Sequence, residues 1–135
     1  TPSAYGQSNE ATNVDYDGLT KMARELHYGN KNKEMLSILQ PYENDPQNKS
    51  ADFFNALGLA YRHTGEPTKA EKAYFKAIEL NPSEPIIRIN LGLLYLKNFK
   101  DRKKAEEQFL FVIEKMDKDN KVANFYLKAM KEGRF

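Results

Sequence analysis

The chain has 135 residues, of which 40% are apolar and 30% are charged, and its formal net charge is +2. This length gives one domain with a sizeable core and leaves little room for a second. The charge is too small for nucleic-acid binding, which needs a clustered basic face. The sequence contains no cysteine, which excludes disulfides, thiolate catalysis and cysteine-ligated metals.

The first segment, residues 1–15, is expected to be flexible because it is polar and has no hydrophobic signal core. It fits an expression remnant, a natural tail, or an N-terminus left after removal of a signal peptide. No apolar run approaches the ~20 residues that span a membrane, so membrane insertion is not expected. The compartment stays open between the cytoplasm and, for a cleaved precursor, the periplasm or the exterior.

From residue 16 onward, apolar residues recur at helical spacing, and no alternating run is long enough for a strand. Pro67 is placed in the first turn of a helix and Pro82 just after the end of one, where proline is tolerated. The loops are short, so consecutive helices are expected to pack as antiparallel neighbours. The predicted helices span residues 17–28, 33–43, 51–64, 67–80, 84–97, 101–116 and 119–132.

A shift of 34 residues aligns two stretches of the chain, which is the signature of a repeat protein. In the first helix of each stretch, the aligned pairs are Leu57 with Leu91, Gly58 with Gly92, and Tyr61 with Tyr95. In the second helix, after one extra loop residue, they are Ala70 with Ala105, Tyr74 with Phe109, and Ala77 with Val112. The period predicts a stack of helix pairs.

Residues 51–84 resemble a tetratricopeptide repeat. The signature positions are occupied by Phe54, Leu57, Gly58, Tyr61, Ala70, Tyr74, Ala77 and Pro82. Small residues at Gly58 and Ala70 would let two helices approach closely, and the aromatic residues would fill the space between helices. The resemblance implies an all-α fold, an α-solenoid of antiparallel helix pairs forming a right-handed superhelix of about seven helices.

Two further copies flank this repeat. Residues 85–119 resemble a second good copy, although Arg88 replaces an aromatic residue and Asp117 the closing proline. Residues 16–49 resemble a looser copy without the glycine. Residues 119–132 would be a capping helix, since a stack must cover its last apolar face. The residues of this helix expected to face inward are Phe125, Leu127 and Met130. The single domain would then cover residues 16–135.

The resemblance also implies a binding groove, because the first helix of each repeat lines the concave face in this family. The positions carried over in repeat 1 are Asp17, Thr20, Arg24, His27 and Tyr28. Those in repeat 2 are Asp52, Asn55, Leu59, Arg62 and His63. Those in repeat 3 are Ile86, Ile89, Asn90, Leu93, Leu96 and Lys97. A protein or peptide partner is expected on this face.

An apolar stripe in repeat 3 consists of Ile86, Ile89, Leu93 and Leu96, on a different face from Leu91. Burying one such side chain gains about 1.5–3 kcal/mol, so the stripe is expected to be covered. Either the capping helix or the N-terminal segment covers it from within the chain, or a peptide or a second copy covers it from outside.

Family members that clamp a partner's C-terminal carboxylate carry lysine, asparagine and arginine at set positions. The matching residues here are Thr20, Arg24, Ala56, Ile86 and Asn90, and none is of the required type. Such a clamp is therefore not expected.

No catalytic constellation is apparent, and the two histidines, His27 and His63, lack the acidic neighbours of a metal site. We expect neither enzyme activity nor a cofactor or metal. The expected function is a protein-binding scaffold or adaptor. The alternatives are a self-assembling unit that uses the apolar stripe or the ends of the stack, and a small bacterial secretion or assembly chaperone.

Overall fold

Three helix pairs and a last single helix follow one another in the computed structural model, which describes residues 13–135. The segment 1–15, for which the sequence predicts flexibility, lies almost wholly outside this range. The helices are α1 (Tyr16–Tyr28), α2 (Asn32–Leu39), α3 (Ala51–His63), α4 (Pro67–Leu80), α5 (Pro85–Lys97), α6 (Arg102–Lys115) and α7 (Lys121–Lys131).

The predicted all-α solenoid is confirmed, and the described residues form no strand. Helix α2 ends earlier than predicted because a 3-10 turn at Gln40–Tyr42 contains Pro41, which has no backbone N–H for a helical hydrogen bond. The helices pack as pairs, α1 with α2, α3 with α4, and α5 with α6. Helix α7 packs on α6.

Polar side chains fix where the helices begin. The Ser50 hydroxyl accepts a hydrogen bond from the Phe53 amide at 3.1 Å at the start of α3. The Asn120 side chain accepts one from the Ala123 amide at 3.0 Å at the start of α7. Each bond satisfies an amide that has no partner within the helix, which sets the first turn.

Each first helix ends in a residue with a left-handed backbone that turns the chain toward the second helix. Gly65 has φ 83°, and the Glu66 amide donates to the Tyr61 carbonyl at 2.9 Å. Asn30 and Lys100 take the same region at the ends of α1 and α5, with φ 60° and 56°. These turns reverse the chain within a few residues and make the paired helices antiparallel.

Two glycines let an aromatic ring lie directly on a helix backbone. A Cβ atom added at Gly58 would lie 2.5 Å from the ring of Tyr74, and one at Gly92 would lie 2.7 Å from the ring of Phe109. Both rings are fully buried. The small residue at each position therefore accommodates a side chain from the second helix of the same pair.

Tyrosine hydroxyls connect successive repeats. The Tyr61 hydroxyl in α3 donates to Glu43 of the preceding repeat, and burial with this bond raises the pKa of Tyr61 to about 12. The Tyr95 hydroxyl in α5 donates to Glu71 in α4 at 2.6 Å. The rings lie in the core, so each bond ties a buried aromatic residue to the preceding repeat.

The replacement of an aromatic residue by Arg88 is accommodated by stacking. The Arg88 guanidinium lies over the ring of Phe111 at 3.8 Å, and its Nη1 donates to Gln108 at 3.1 Å. Burial lowers the pKa of Arg88. The planar guanidinium thus occupies a flat space between α5 and α6.

The capping helix packs differently from the prediction. Phe125 is half exposed, so the expectation that it faces inward is wrong, whereas Met130 is buried as predicted. The inward face is formed instead by Ala123 and Tyr126, whose ring stacks on Phe109 with centroids 5.5 Å apart. Met130 and the partly buried Leu127 complete this inward face, and Phe125 lies on the opposite, exposed side of α7.

Replacing Gly58 or Gly92 by alanine should destabilise the fold. The added Cβ must displace a buried ring, at a cost of about 1–3 kcal/mol, of which higher helix propensity returns at most about 1 kcal/mol. We expect the free energy of unfolding, measured with urea, to fall by about 1–2 kcal/mol.

Gly29→Ala is the matched control, because its Cβ would meet only the carbonyl oxygens of Glu25 and Leu26, at ordinary distances of 3.5 and 3.6 Å. Its stability should stay within about 0.5 kcal/mol of wild type. Equal losses for all three substitutions would contradict the role assigned to the ring contacts.

Candidate protein-binding surface

The first helices of the three pairs, α1, α3 and α5, lie side by side, since α1 contacts α3 and α3 contacts α5. They are parallel because an antiparallel second helix separates each of them from the next along the chain. We call their shared solvent-facing side the first-helix surface. The structure places the predicted groove residues on these three helices. Some of them are exposed there, whereas others are part of the core.

At the α1 end of this surface is an open cleft of about 480 Å³. Arg24 and Asp52 face each other across it, with Nη2 and Oδ1 4.0 Å apart. Both side chains are largely exposed, so this ion pair contributes little to stability and can rearrange around a ligand. The residues lining the cleft are Asp17, Thr20, Lys21, Arg24, Glu25, Tyr28 and Asp52.

Asn55, which the sequence places among the groove residues, is not exposed to a partner. The residue is buried, and its Oδ1 accepts a hydrogen bond from Nδ2 of Asn90 at 2.9 Å. The bond joins α3 to α5 at neighbouring positions of their first-helix faces. Asn55 and Asn90 are therefore a link between repeats, whereas Leu59 remains partly exposed beside them.

A cluster of basic side chains lies where α3 and α5 end. Arg62 donates from Nε to Oδ1 of Asn98 at 2.8 Å, and the His63 ring lies 5.1 Å from the His27 ring between centroids. Partial burial, followed by the charges of Arg62, His27 and Lys97, lowers the pKa of His63. The neutral form of His63 is favoured mainly because burial disfavours the charged ring, and secondarily because positive charges lie nearby.

The apolar stripe of repeat 3 is covered at two of its four positions. Ile89 is 2% exposed and Leu96 is 5% exposed, and both belong to the core cluster. The expectation that they face a partner is wrong, because packing within the chain buries them. Ile86 stays 44% exposed and Leu93 is partly exposed. Together with the partly exposed Leu59, these two residues form the remaining apolar part of the predicted groove.

Charges are separated across the first-helix surface. Asp17 and Asp52 lie in the first turns of α1 and α3, whereas Arg62, His63 and Lys97 lie in the last turns of α3 and α5. Such placement stabilises each helix through its dipole. Since the helices are parallel, the same placement puts acidic residues where α1 and α3 begin and basic residues where α3 and α5 end.

Two exposed apolar residues of α7 were missed by the sequence reasoning. Val122 is 41% exposed and Phe125 is 50% exposed. Their position relative to the start of the helix could have indicated that they belong to the same face as the predicted groove residues. They stand two and five residues after the N-cap Asn120, as Ile86 and Ile89 stand after the N-cap Glu84.

Comparison with known proteins agrees with this architecture. Residues 51–84 match the sequence profile of the tetratricopeptide repeat. The chain therefore contains a tetratricopeptide repeat, and the helix pairs on either side of it have the same architecture. Such repeats are protein–protein interaction units that stack into a continuous core and leave one face for partners.

Two curated proteins are similar over part of their length. One is the uncharacterized protein ycf37 of Pyropia yezoensis, 34% identical over 74 residues, covering 55% of this chain and 40% of that protein. The other is the photosystem I assembly protein Ycf3 of Cyanophora paradoxa, 30% identical over 95 residues, covering 70% of this chain and 49% of that protein. The matched parts thus span half or less of these relatives.

Neither a metal-binding cluster nor a membrane-spanning helix is found among residues 13–135. No three or more His, Cys, Asp and Glu side chains there are grouped so as to hold a metal ion. Within the same range, none of the helices combines the length and the apolar character needed to cross a membrane.

Acid should destabilise the fold partly through His63. The folded-state pKa of His63 lies below its ordinary value of 6.5, so the unfolded chain binds the proton more readily. The contribution to stability is therefore complete above about pH 6.5 and is lost as the pH falls toward the folded-state pKa.

Urea unfolding of wild type and His63→Gln between about pH 7.5 and pH 5.5 measures this effect. Wild type should lose more stability across that range than the variant, which has no titrating group at this position. Identical losses would show that the folded protein does not lower the pKa of His63.

Proposed function

We propose that this protein is a non-catalytic scaffold that holds a segment of a partner protein against its first-helix surface. The observation that carries the proposal is that α5 presents the exposed Ile86 and the partly exposed Leu93, while α1 and α3 form a polar cleft at Arg24 and Asp52. A bound segment would place apolar side chains at the α5 end and polar groups at the α1 end.

We further propose that the partner is a subunit of a larger complex, held while that complex assembles. The support is the similarity to Ycf3 of Cyanophora paradoxa, whose name describes a photosystem I assembly protein. An assembly factor must release its client, which favours a modest contact area of mixed polarity over a large apolar interface. The first-helix surface has that mixed character.

A second candidate function is self-association through the ends of the stack. Met22 aligns with the fully buried Leu57 and Leu91 of the later repeats, yet it is largely exposed because no repeat precedes α1 in the described part of the chain. Phe125 is exposed on α7 at the opposite end. Packing one end on the other would give a head-to-tail array, which does not close by symmetry.

Substituting the uncovered apolar residues should abolish partner capture. We expect Leu93→Asp and Ile86→Asp to reduce recovery of the native partner at least tenfold, because a charge would have to be buried on binding. The measurement is affinity capture from the source organism with quantitative mass spectrometry. Circular dichroism shows whether each variant is folded. If Leu93→Asp is unfolded, the test rests on Ile86→Asp, because Ile86 is the more exposed of the two residues.

Phe75→Asp is the matched control, since Phe75 lies on the second helix α4 and is 49% exposed. It should capture the same proteins as wild type. Unchanged capture by folded Ile86→Asp would overturn the proposed surface.

Light scattering at micromolar concentration tests the second candidate function, self-association. A head-to-tail array must grow with protein concentration, and it must be smaller in Met22→Asp.

A further inference from the structure

The two histidines of the chain, which are far apart in the sequence, are neighbours in the structure. His27 lies in the last turn of α1, and His63 is the last residue of α3. These two helices pack side by side, and the centroids of the two rings are 5.1 Å apart. We call the two residues the histidine pair. The sequence predicts no metal at either residue, so what the pair can bind depends on how the fold holds the two rings.

A hydrogen bond determines which nitrogen of His27 is free. Its Nδ1 lies 2.9 Å from Oδ1 of Asn32, at the start of α2. An amide oxygen can only accept, so Nδ1 carries the proton and Nε2 of the neutral ring keeps its lone pair. Histidines that bind metals are held in the same way, by a hydrogen bond from the ring nitrogen that does not bind the ion. His27 is thus oriented as a ligand that offers Nε2.

The fold favours the form of His63 that can bind a metal. Partial burial, followed by the charges of Arg62, His27 and Lys97, lowers the pKa of His63. Its ring forms no hydrogen bond to the rest of residues 13–135, so rotation can present either nitrogen to an ion. Because only a neutral imidazole is a metal ligand, a lowered pKa means that less protonated histidine competes with the ion.

An open cleft of about 410 Å³ lets solvent reach His63. Besides His63, the residues that line it are Asn30, Lys31, Asn32, Lys33 and Glu34. Within residues 13–135, no three or more His, Cys, Asp and Glu side chains are grouped so as to hold an ion, so the histidine pair has no third protein ligand there. Water from the cleft therefore has to complete the coordination of an ion bound to the pair.

The separation of the two rings fits a shared ion. Two imidazoles on one ion, with metal–nitrogen bonds of about 2.0–2.1 Å, have ring centroids about 4.5–5.2 Å apart for ligand angles between square-planar and tetrahedral. The observed 5.1 Å lies in this range, so rotation of a ring suffices and α1 and α3 need not move. Imidazole nitrogen suits Cu²⁺, Ni²⁺ and Zn²⁺, whereas Mg²⁺ and Ca²⁺ require oxygen ligands.

Two nearby cations oppose an ion at this place, and both are held by other groups. Arg62 donates to Asn98 at 2.8 Å, and the Lys97 ammonium lies over the Tyr126 ring, 5.5 Å from its centroid. The backbone carbonyls at the ends of α1 and α3 carry partial negative charge, which favours a cation beside them. The two cations therefore weaken the site without occupying it.

We propose that His27 and His63 together bind one divalent transition-metal ion, with water as the remaining ligands. The ion ties the end of α1 in the first repeat to the end of α3 in the second. Cu²⁺ binds more tightly than Ni²⁺ or Zn²⁺, as it does at most sites of this kind. This site does not rest on the proposed function, because it needs no protein partner.

Titration of the full chain with Cu²⁺ tests the proposal, with calorimetry for affinity and electron paramagnetic resonance for the ligands. We expect one ion per chain and coupling of the copper to two imidazole nitrogens. His27→Gln and His63→Gln should each leave one such nitrogen and weaken binding at least tenfold. Zn²⁺ should raise the midpoint of thermal unfolding of the wild type but not of either variant, since the ion binds only the folded pair.

Two further variants and two further ions are the controls. Asn32→Ala should weaken Cu²⁺ binding, but less than loss of either histidine, because it removes only the bond that orients His27. Lys97→Gln should tighten binding at least twofold by removing an opposing charge, whereas Lys72→Gln on α4 should not change it. Mg²⁺ and Ca²⁺ should not bind. Circular dichroism verifies folding, and His63→Gln decides the matter if His27→Gln is unfolded.

Three results would overturn the inference. Cu²⁺ binding could persist in both histidine variants, which would place the ion elsewhere, for instance at the chain's amino terminus. The wild-type spectrum could show a single imidazole nitrogen. Light scattering could also show that the ion joins two chains into a dimer, which would place the site between copies. Partner capture by the two histidine variants separates this inference from the proposed function, since a metal-free variant that still captures the partner leaves that function intact.

Discussion

The contact on which the fold depends is an aromatic ring lying on a glycine of the neighbouring helix. Tyr74 meets Gly58, and Phe109 meets Gly92, at distances that leave no room for a Cβ atom. This contact sets how closely the two helices of a pair approach. A larger residue would move the second helix outward and would shift every later element with it, because each pair packs only on its neighbours.

The spacing within pairs also determines how the pairs meet one another. With the second helix held close, the first helices α1, α3 and α5 can lie side by side, and Tyr95 reaches the carboxylate of Glu71 in the preceding pair. Parallel first helices bring all their N-termini to one edge and all their C-termini to the other. Acidic residues at helix starts and basic residues at helix ends are favoured for each helix alone. The stack turns this local preference into acidic residues where α1 and α3 begin and basic residues where α3 and α5 end.

The sequence predicts the helices and their pairing well, because each signal is local. Glycine and proline mark the turns, and the 34-residue match of Gly58 with Gly92 defines the repeat. The exposure of individual residues was predicted less well. Ile89 is buried and Phe125 is exposed although both stand five residues after an N-cap. Helical periodicity assigns a residue to a face, whereas burial depends on whether another helix lies beyond that face, and this is a property of the whole stack.

The same reasoning explains why the fifth position after the N-cap is buried in α3 and α5 but exposed in α7. In an interior repeat the fifth position after the N-cap is covered by the next first helix, so Asn55 is buried and bonded to Asn90. At the last helix that cover is missing, and the position is occupied by a phenylalanine backed by Tyr126. The same position is thus buried where a neighbouring helix lies over it and exposed where none does, so that the polar Asn55 is covered whereas the apolar Phe125 is not.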